Sequence, residues 1–429
     1  MIQYASLFNI KLSSFWRDAA WLASSTALAQ LIALAARPIF SRLYTPADFA
    51  ALNLFTIGVS FTAIAVTWRY ENLVQLPRRL ADGWRLVQAT ALLGGLTVLV
   101  LTPLAFWQGP VLADWLDCPS LARWAPLVPL AGLLYALSIA LAGWHQRRRQ
   151  FRSSGQSEVA GQLVYAGLGG LGWLLFTGPG GLILAFLGTY GGKIFWLVKN
   201  RRDIYPPGSL VKIKAAARRY GALSKSLIFS QTCLTVTVAI PSFYIARAHG
   251  AEELGQFALA WQIIVQPMNL LGNAIGNTYY QRAAELWAQG SSFKDLWRST
   301  VKKIILMGLS VYGAAFCLSP WLFPLIFGQA WVKAGQYAVP LSVGAFFEMV
   351  TWPLSKTCLV VGAWRYVSLW HLARTISTAL VALAAWRAAW GMRDFLMAFV
   401  LQQSLLYLVD FCAEWRFAGF RPNVDKRKP

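Results

Sequence analysis

Residues 86–107 have the sequence LVQATALLGGLTVLVLTPLAFW, which contains no charged side chain. A transmembrane α-helix needs about 20 consecutive, mostly apolar residues. This stretch is therefore long enough to cross the hydrocarbon core of a bilayer as a helix. Stretches of the same character recur along the whole chain, and the fold class that we predict from them is an all-α, polytopic membrane protein.

The composition of the chain excludes a soluble globular protein. Of its 429 residues 57% are hydrophobic and 13% are charged, about half the roughly 25% charged residues of a soluble chain. The net charge is +22, but the basic residues lie in short loops between apolar runs, which is typical of membrane proteins rather than of nucleic-acid-binding ones. The five cysteines show no CxxC or metal-site spacing, so we expect no bound metal and no catalytic site.

The apolar segments predict about twelve transmembrane helices. Loops and short interfacial stems account for the rest of the chain, which leaves no room for a soluble domain of ordinary size. The predicted spans are 20–40, 49–68, 86–107, 124–144, 159–177, 180–198, 224–245, 254–276, 304–326, 338–360, 367–386 and 395–415.

The distribution of lysine and arginine predicts the orientation. Cytoplasmic loops of membrane proteins carry an excess of these residues. With both termini on the inner side, about thirty of the 39 basic residues fall in or beside inner segments. We therefore expect a multi-pass protein of the bacterial inner (cytoplasmic) membrane with both termini in the cytoplasm.

The span count divides the chain into two halves. We predict an N-terminal six-helix bundle over 1–200, a basic cytoplasmic linker over 201–223, and a C-terminal six-helix bundle over 224–429. Because each half has an even number of spans, both enter the membrane in the same direction, as in transporters built from parallel repeats.

A short sequence echo supports this duplication. The chain has RLYTPADFAAL at 42–52 and RAHGAEELGQF at 247–257. An ungapped alignment pairs Arg42 with Arg247 and places the acidic residues of the two stretches, Asp48 and Glu253, together. Each acid follows an outer turn and opens a helix, where negative charge is favoured by the helix dipole.

Four segments resemble a known family of membrane proteins. They are ALAQLIALAARPIFSRLYTPADF (27–49), RYENLVQLP (69–77), AEELGQFALAWQIIVQPMNLLGNAIGNTYYQRAAELW (251–287) and FGQAWVKAGQYA (327–338). In this order, and with the twelve-span plan, the chain resembles Wzx-type polysaccharide and O-antigen flippases. These belong to the multidrug/oligosaccharidyl-lipid/polysaccharide (MOP) exporter superfamily, which also contains the MATE transporters.

The resemblance implies a secondary transporter, not an enzyme. Its substrate would be an undecaprenyl-pyrophosphate-linked oligosaccharide repeat unit of O-antigen or exopolysaccharide, moved from the cytoplasmic to the periplasmic leaflet by alternating access. The polymerase and the chain-length regulator of the same pathway are possible partners. The family motif residues are expected to be structural: Arg42, Tyr44, Pro46, Asp48, Arg247 and Glu253.

An anionic lipid headgroup needs a hydrated, cationic cleft, and charged residues within spans are candidates for its lining. Arg374 lies at the middle of a span. Lys356 follows Glu348 by eight residues, about two turns of a helix, so we expect Lys356 and Glu348 to share one face. The two cations could hold a pyrophosphate. Alternatively, Lys356 extends to the inner interface and Arg374 is neutralised by Glu348.

The first half offers two further cations. Arg37 lies near the outer end of the first span and Arg69 near the inner end of the second. Either one could meet the pyrophosphate at one end of its path, or could simply anchor its helix at the interface.

Coupling to an ion gradient needs an acid that binds and releases a proton or Na⁺. The candidates are Glu348 and Asp410, within spans, and Glu71, nearer the inner interface. Each could instead form a permanent structural ion pair. We expect no cofactor besides the coupling ion.

Two other functions fit a membrane protein of this kind. A polysaccharide polymerase or ligase would act on the same lipid-linked glycans, but such enzymes carry a long outer loop, and the longest predicted here is about 108–123. A MATE-like multidrug exporter for cationic drugs would need an acidic cleft, whereas the intramembrane charges here are mainly basic.

Overall fold

The computed structural model describes residues 2–200 and 208–420, and every secondary-structure element in these two ranges is helical. The α-helices are α1 (Ile2–Leu43), α2 (Pro46–Thr67), α3 (Leu80–Trp115), α4 (Val128–Arg147), α5 (Phe151–Leu175), α6 (Gly180–Lys199), α7 (Leu210–Pro267), α8 (Asn273–Ala288), α9 (Lys294–Phe327), α10 (Val332–Thr351), α11 (Lys356–Val361), α12 (Trp364–Arg387) and α13 (Met392–Ala418). Short 3₁₀ turns lie at Tyr70–Leu73, Pro119–Leu121, Ala125–Leu127 and Gln329–Trp331, and a π-helical turn lies at Met268–Gly272.

The predicted all-α, polytopic architecture with about twelve spans is confirmed. Nine helical stretches in the described residues are long and apolar enough to cross a membrane. One of them runs from Leu227 to Ala288 and covers two predicted spans, the seventh and the eighth. The two remaining spans, the fifth and the tenth, coincide with α5 and with most of α10.

Long helices expose apolar side chains, as expected where lipid replaces water. On α3, Leu99 and Phe106 are both 73% exposed. Such a surface would aggregate in water, but it costs nothing against hydrocarbon chains.

The chain divides into two compact units, Met1–Thr235 and Val236–Pro429. In the first unit, α5 packs along α1 and α6, and α4 packs against α2, α3 and α6. Glycines bring α5 and α6 together: a Cβ on Gly172 would lie 2.5 Å from the Cα of Gly181. Small residues at such crossings let two backbones approach closely within a membrane.

In the second unit, α10 packs between α9 and α13, and α12 packs on α13. The short helix α11 contacts α8 and α13. Helix α7 is broken at Gly250, whose φ of 87° lies in the left-handed region that favours glycine. This break supplies the turn between the predicted seventh and eighth spans.

Two predicted segments, the tenth span and the central linker, do not each correspond to a single helix or loop. The predicted tenth span, 338–360, is not one helix, because α10 ends at Thr351 and a turn separates it from α11. Of the predicted linker 201–223, residues 201–207 lie outside the described residues, and 210–223 form the first turns of α7. The division into three segments at 200 and 223 stays a prediction.

Candidate functional site

The turn of the TPAD sequence is built by a capping box. The hydroxyl of Thr45 accepts the backbone N–H of Asp48 at 3.3 Å, and the Asp48 carboxylate accepts the backbone N–H of Thr45 at 2.9 Å. Pro46 occupies the first turn of α2, where its missing N–H is not needed. Asp48 thus neutralises the free N–H groups at the start of α2 and fixes where the helix begins.

Tyr44 attaches this turn to the rest of the first unit. The Tyr44 ring is buried, and its hydroxyl donates a 2.7 Å hydrogen bond to the carbonyl of Gly169 on α5. Burial raises the pKa of Tyr44 to about 12, so the phenol remains a donor at physiological pH. Arg42, beside it in sequence, is exposed.

The aligned residues of the second unit have different neighbours. Glu253 forms an ion pair with Lys333 and accepts a hydrogen bond from the hydroxyl of Tyr337, which joins α7 to α10. Arg247 is exposed. Asp48 therefore acts within its own turn, whereas Glu253 connects two helices.

The sequence RYENLVQLP forms a tight turn after α2. Trp68 and Arg69 both have left-handed backbone angles, with φ of 50° and 61°. The Arg69 guanidinium lies 3.1 Å from the carboxylate of Glu71, and both residues are buried. Thr67 donates a 2.5 Å hydrogen bond to the other Glu71 oxygen. Burial raises the pKa of Glu71, and the charge of Arg69 and the Thr67 hydrogen bond oppose this rise in part.

Arg147 holds this turn in place. It donates hydrogen bonds to the carbonyls of Val74 and Gln75, at 3.1 and 2.9 Å, and to the carbonyl of Pro77. The sequence predicts only that basic residues such as Arg147 help to set the orientation of the chain in the membrane. Only the fold reveals the structural role of Arg147, because its partners lie about 70 residues earlier in the chain.

A row of tyrosines runs through the first unit between the two predicted cations. Tyr135 and Tyr190 make an edge-to-face contact with ring centroids 5.2 Å apart. Tyr190 also lies within electrostatic range of Tyr165. We call Tyr135, Tyr165 and Tyr190 the tyrosine row; all three side chains are half-buried.

Cations lie at both ends of the tyrosine row and beside its middle. Arg37 is within electrostatic range of Tyr165, and Arg69 is within that range of Tyr135. The ammonium of Lys193 lies 5.6 Å from the centre of the Tyr190 ring and 2.6 Å from the carboxylate of Glu158. Arg37 and Arg69 were predicted from the sequence. The tyrosines and Lys193 were not, because nothing local distinguishes them from the other aromatic and basic residues of the chain.

In the second unit, Arg374 is 6% exposed and lies in a polar cluster. Its Nε donates a 2.8 Å hydrogen bond to Gln403, and its terminal nitrogen lies 3.9 Å from the Glu348 carboxylate. The guanidinium also lies over the rings of Trp370 and Tyr407, at 5.5 and 5.0 Å from their centres.

The space beside Arg374 is small. The cavity lined by Arg374, Glu348 and Gln403 measures about 10 Å³, the room for about one water molecule. In this conformation Arg374 is thus held by protein groups, as the ion-pair interpretation expects, and no pyrophosphate fits at that point. A role for Arg374 in binding substrate stays a prediction.

The prediction that Glu348 and Lys356 share one helix face is wrong. Glu348 lies on α10, which ends at Thr351, and Lys356 is the first residue of α11 beyond the turn. Pro353 in that turn lacks the N–H that a continuous helix requires. Lys356 is half-buried, and the residues described above as contacting the Arg374 side chain lie on α10, α12 and α13.

Asp410 is buried on α13 and accepts a 2.7 Å hydrogen bond from the hydroxyl of Tyr366 on α12. One turn further along α13, Glu414 is fully buried.

A long apolar groove runs along the same unit. Its volume is about 870 Å³, and its walls are formed by α9, α10 and α13. The polar residues Gln336, Tyr337 and Arg393 lie near the beginning of α10 and of α13, so they share one end of the groove. Leu408 lies further along α13, about 22 Å from Arg393 at 1.5 Å per residue.

Comparison with solved structures identifies the fold. The chain is similar to an inward-facing multidrug resistance MATE family transporter of the MOP superfamily, with a TM-score of 0.69 and 14% identity over 95% of this chain and 96% of that one. It is also similar to a MOP superfamily transporter from Pyrococcus furiosus, whose binding pocket is described as having reversed polarity. The TM-score is 0.66, with 15% identity over 94% and 95% of the two chains. The fold is that of a MOP-type membrane transporter.

Sequence comparison then shows the family. The chain belongs to the polysaccharide biosynthesis protein family, whose model matches residues 39–336. It is also similar to the amylovoran biosynthesis protein AmsL of Erwinia amylovora, with 30% identity over 112 residues, which are 26% of this chain and 29% of that protein. The match thus spans less than a third of that relative. The predicted resemblance to polysaccharide proteins with the MOP fold is confirmed, and the chain is a multi-pass membrane protein of the polysaccharide biosynthesis family.

Proposed function

We propose that this transporter moves an undecaprenyl-pyrophosphate-linked oligosaccharide repeat unit from the cytoplasmic to the periplasmic leaflet of the bacterial inner membrane. It works by alternating access, driven by a gradient of H⁺ or Na⁺, and supplies O-antigen or exopolysaccharide synthesis. The sugar and the pyrophosphate cannot cross hydrocarbon unaided, because transferring charged and polar groups out of water is costly. The protein must therefore offer a polar path for the headgroup and an apolar path for the lipid.

The tyrosine row with its flanking cations is the observation that carries this proposal. Tyrosine has an apolar ring face, suited to packing on a sugar ring, and a hydroxyl that can exchange hydrogen bonds with sugar hydroxyls. Arg37 and Arg69 stand at its two ends, and a guanidinium can bind a phosphate through two parallel hydrogen bonds. The headgroup would move along Tyr165, Tyr190 and Tyr135, while its pyrophosphate exchanges one arginine for the other.

Arg374 would act in the second unit when the transporter changes conformation. At 3.9 Å, its contact with Glu348 is a charge interaction without a short hydrogen bond. A pyrophosphate carries more negative charge than one carboxylate, so it can replace Glu348 once the small cavity opens. A proton on Glu348 would favour this exchange by removing the competing charge. Lys356, at the start of α11, would be a second cation on the path of the pyrophosphate.

The coupling ion would act at Glu348 and Asp410, which are buried in the second unit. Glu71 is the third candidate, in the first unit. Its ion pair with Arg69 means that protonating Glu71 would free a cation at the inner end of the tyrosine row.

The groove between α9, α10 and α13 is suited to the lipid. Its apolar walls match a polyprenyl chain, and Arg393 at its polar end is placed to meet a phosphate. A lipid chain could then stay in hydrocarbon while the headgroup crosses.

The experiment locates the lipid-linked repeat unit in cells lacking this gene. Completed units should accumulate on the inner leaflet, where an enzyme added outside cannot reach them, and surface polysaccharide should disappear. The wild-type gene should restore both. Tyr190→Ala should restore neither, whereas Tyr190→Phe should restore export in part because it keeps the ring. The matched control is Phe195→Ala, since Phe195 lies on the same helix and is 66% exposed.

Other outcomes would assign a different function. Units found on the outer leaflet but left unpolymerised would point to a polymerase or ligase. Export of cationic drugs, with normal surface polysaccharide in the deletion strain, would point to a multidrug exporter. If Tyr190→Ala supports normal export, the tyrosine row is not the path of the headgroup.

A further inference from the structure

Glu414 is a buried carboxyl group without a partner. The residue has 0% of its surface exposed, and neither of its carboxylate oxygens has a hydrogen-bond partner among the described residues. This is unusual, because buried charged groups are almost always paired or hydrogen-bonded. No function described above uses Glu414.

The groups that face Glu414 come from four helices, and none of them is a cation. Asp410 precedes it by one turn of α13, and three other groups lie within electrostatic range: Tyr279 of α8, Cys358 of α11 and Tyr366 of α12. The hydroxyls of the two tyrosines are engaged elsewhere, that of Tyr366 with Asp410 and that of Tyr279 with Thr357.

The nearby cations point at other groups. Lys294 and Arg298 of α9 lie over the ring of Trp415, at 4.3 and 4.7 Å from its centre. Arg374 interacts with Glu348 of α10 and, at longer range, with Asp410. The carboxyl group of Glu414 therefore has an acid as its nearest charged neighbour.

A negative charge at this position would be expensive for two reasons. Burial removes the hydration of the carboxylate without supplying a substitute, and a second carboxylate one turn away on the same helix adds repulsion. A bound proton removes both costs at once. Within the described residues no group of three or more His, Cys, Asp or Glu side chains could hold a metal ion. A proton needs only the carboxyl group itself.

The backbone around the site is irregular where the helices meet. Helix α11 is bounded by the turn at 352–355 and by Gly362, whose φ is 75°. The π-helical turn Met268–Gly272 leads into α8, and a Cβ on Gly276 of that helix would lie 3.2 Å from Pro353. Irregular turns of this kind are where helices bend when they move.

We propose that Glu414 is a proton-binding site, and that release of its proton requires the α8–α11–α13 contact to open. When the contact is closed, the carboxyl group is sealed from water and neutral. When it opens, water reaches the group and the proton leaves. The link to transport rests on the proposed function: the proton gradient would then drive the cycle through Glu414, with Asp410 and Tyr366 as its neighbouring hydrogen-bonding groups.

Infrared spectroscopy of the purified full-length protein tests the site without any cargo. The spectrum at neutral pH should contain the C=O stretching band of a protonated carboxylic acid, protected from rapid exchange in D₂O. The band should be absent in Glu414→Gln and present in Glu252→Gln, a control that removes an exposed acid from an outer turn. Glu414→Asp keeps a carboxylic acid and should retain the band at a shifted frequency. This variant tests the site even if Glu414→Gln folds poorly.

Several results would overturn the proposal. Persistence of the band in Glu414→Gln would show that the proton is not on Glu414. If the band also vanishes in Asp410→Asn, the proton is on Asp410. Loss of the wild-type band on addition of Na⁺ at constant pH would show a site for Na⁺ instead.

A second measurement separates this inference from the proposed function. In proteoliposomes, an imposed pH gradient should stimulate transfer of the lipid-linked oligosaccharide by the wild type, and Glu414→Gln should lose that stimulation. If the band is present and no oligosaccharide moves, the proton site stands and the cargo is wrong. If oligosaccharide moves equally in wild type and Glu414→Gln, the cargo stands and the coupling role of Glu414 is refuted.

Discussion

The Arg374–Glu348 pair offers a test that distinguishes a structural ion pair from a substrate-binding cation. The two side chains are 7% and 12% exposed, and their charged atoms lie 3.9 Å apart. At that distance the Coulomb energy is about 4 kcal/mol for an effective dielectric constant near 20. Removing one partner of a buried pair costs about 3–5 kcal/mol, because the other charge stays buried without compensation.

The perturbation is a pair of neutral, similarly shaped substitutions made singly and together. Arg374→Met should cost about 3–5 kcal/mol in the free energy of unfolding. The double variant Arg374→Met/Glu348→Gln leaves no uncompensated charge and loses mainly the hydrogen bond from Arg374 to Gln403, which costs about 1.5–3 kcal/mol. The double variant should therefore be about 2 kcal/mol more stable than Arg374→Met alone, and the coupling energy, which also subtracts the cost of Glu348→Gln alone, should differ clearly from zero.

The assay combines stability and transport. Unfolding in mixed detergent micelles with increasing denaturing detergent gives the free energies, and surface polysaccharide in the deletion strain reports transport. We expect the double variant to fold and to export no polysaccharide, because it lacks the guanidinium. Arg387→Met, an exposed position on the same helix, should change stability by no more than about 0.5 kcal/mol and should export normally.

Two results would refute this reasoning. A coupling energy within about 0.5 kcal/mol of zero would show that the ion pair contributes nothing to stability. Normal polysaccharide export by the double variant would show that Arg374 has no part in substrate binding, and that its role is structural alone.

Three further predictions concern the turns of the first unit. Arg147→Ala should lower the free energy of unfolding by about 3 kcal/mol, because the partly buried carbonyls of Val74 and Pro77 each lose a charged hydrogen bond worth about 1.5 kcal/mol, while water can replace the exposed bond to Gln75. The exposed control Arg149→Ala should leave the free energy of unfolding unchanged. Equal losses of stability in the two variants would contradict the role of Arg147. Asp48→Ala should lower the free energy of unfolding by about 1 kcal/mol through loss of the cap on α2. The amide hydrogens at the start of α2 should then exchange faster, and an unchanged exchange rate would show that the cap contributes nothing. The raised pKa of Glu71 stabilises the fold below its ordinary value of 4.5, and this contribution is lost as pH rises through the folded-state pKa. Glu71→Gln should therefore flatten the fall of stability with rising pH, and an unchanged slope would exclude Glu71 as its source.

The membrane-spanning architecture could be predicted because it depends on local sequence. Each span must bury about 20 residues in hydrocarbon, so segments such as 86–107 and 395–415 stand out without knowledge of their neighbours. The TPAD turn was predictable for the same reason, since Asp48 is the third residue of the helix that it and Thr45 cap.

The prediction was wrong where helix continuity decided the answer. Glu348 and Lys356 are eight residues apart, and hydropathy alone gives no sign that α10 stops between them. Pro353 lies in the turn at 352–355, which redirects the chain. The orientation of Lys356 therefore follows from α11 and not from α10.

The sequence by itself determined the class of this protein, a polytopic membrane protein, because bilayer thickness and the cost of burying charge constrain the composition of every span. Its motifs also determined the polysaccharide family. Only the tertiary structure decided which polar groups meet: Arg147 with a carbonyl 73 residues away, Arg374 with Gln403 29 residues away, and Tyr135 with Tyr190. Such partners follow from how helices pack, and packing places residues together that no local pattern connects. Helix packing also decides which buried groups are left without a partner: four helices surround the carboxyl group of Glu414, and none of the described residues hydrogen-bonds to it.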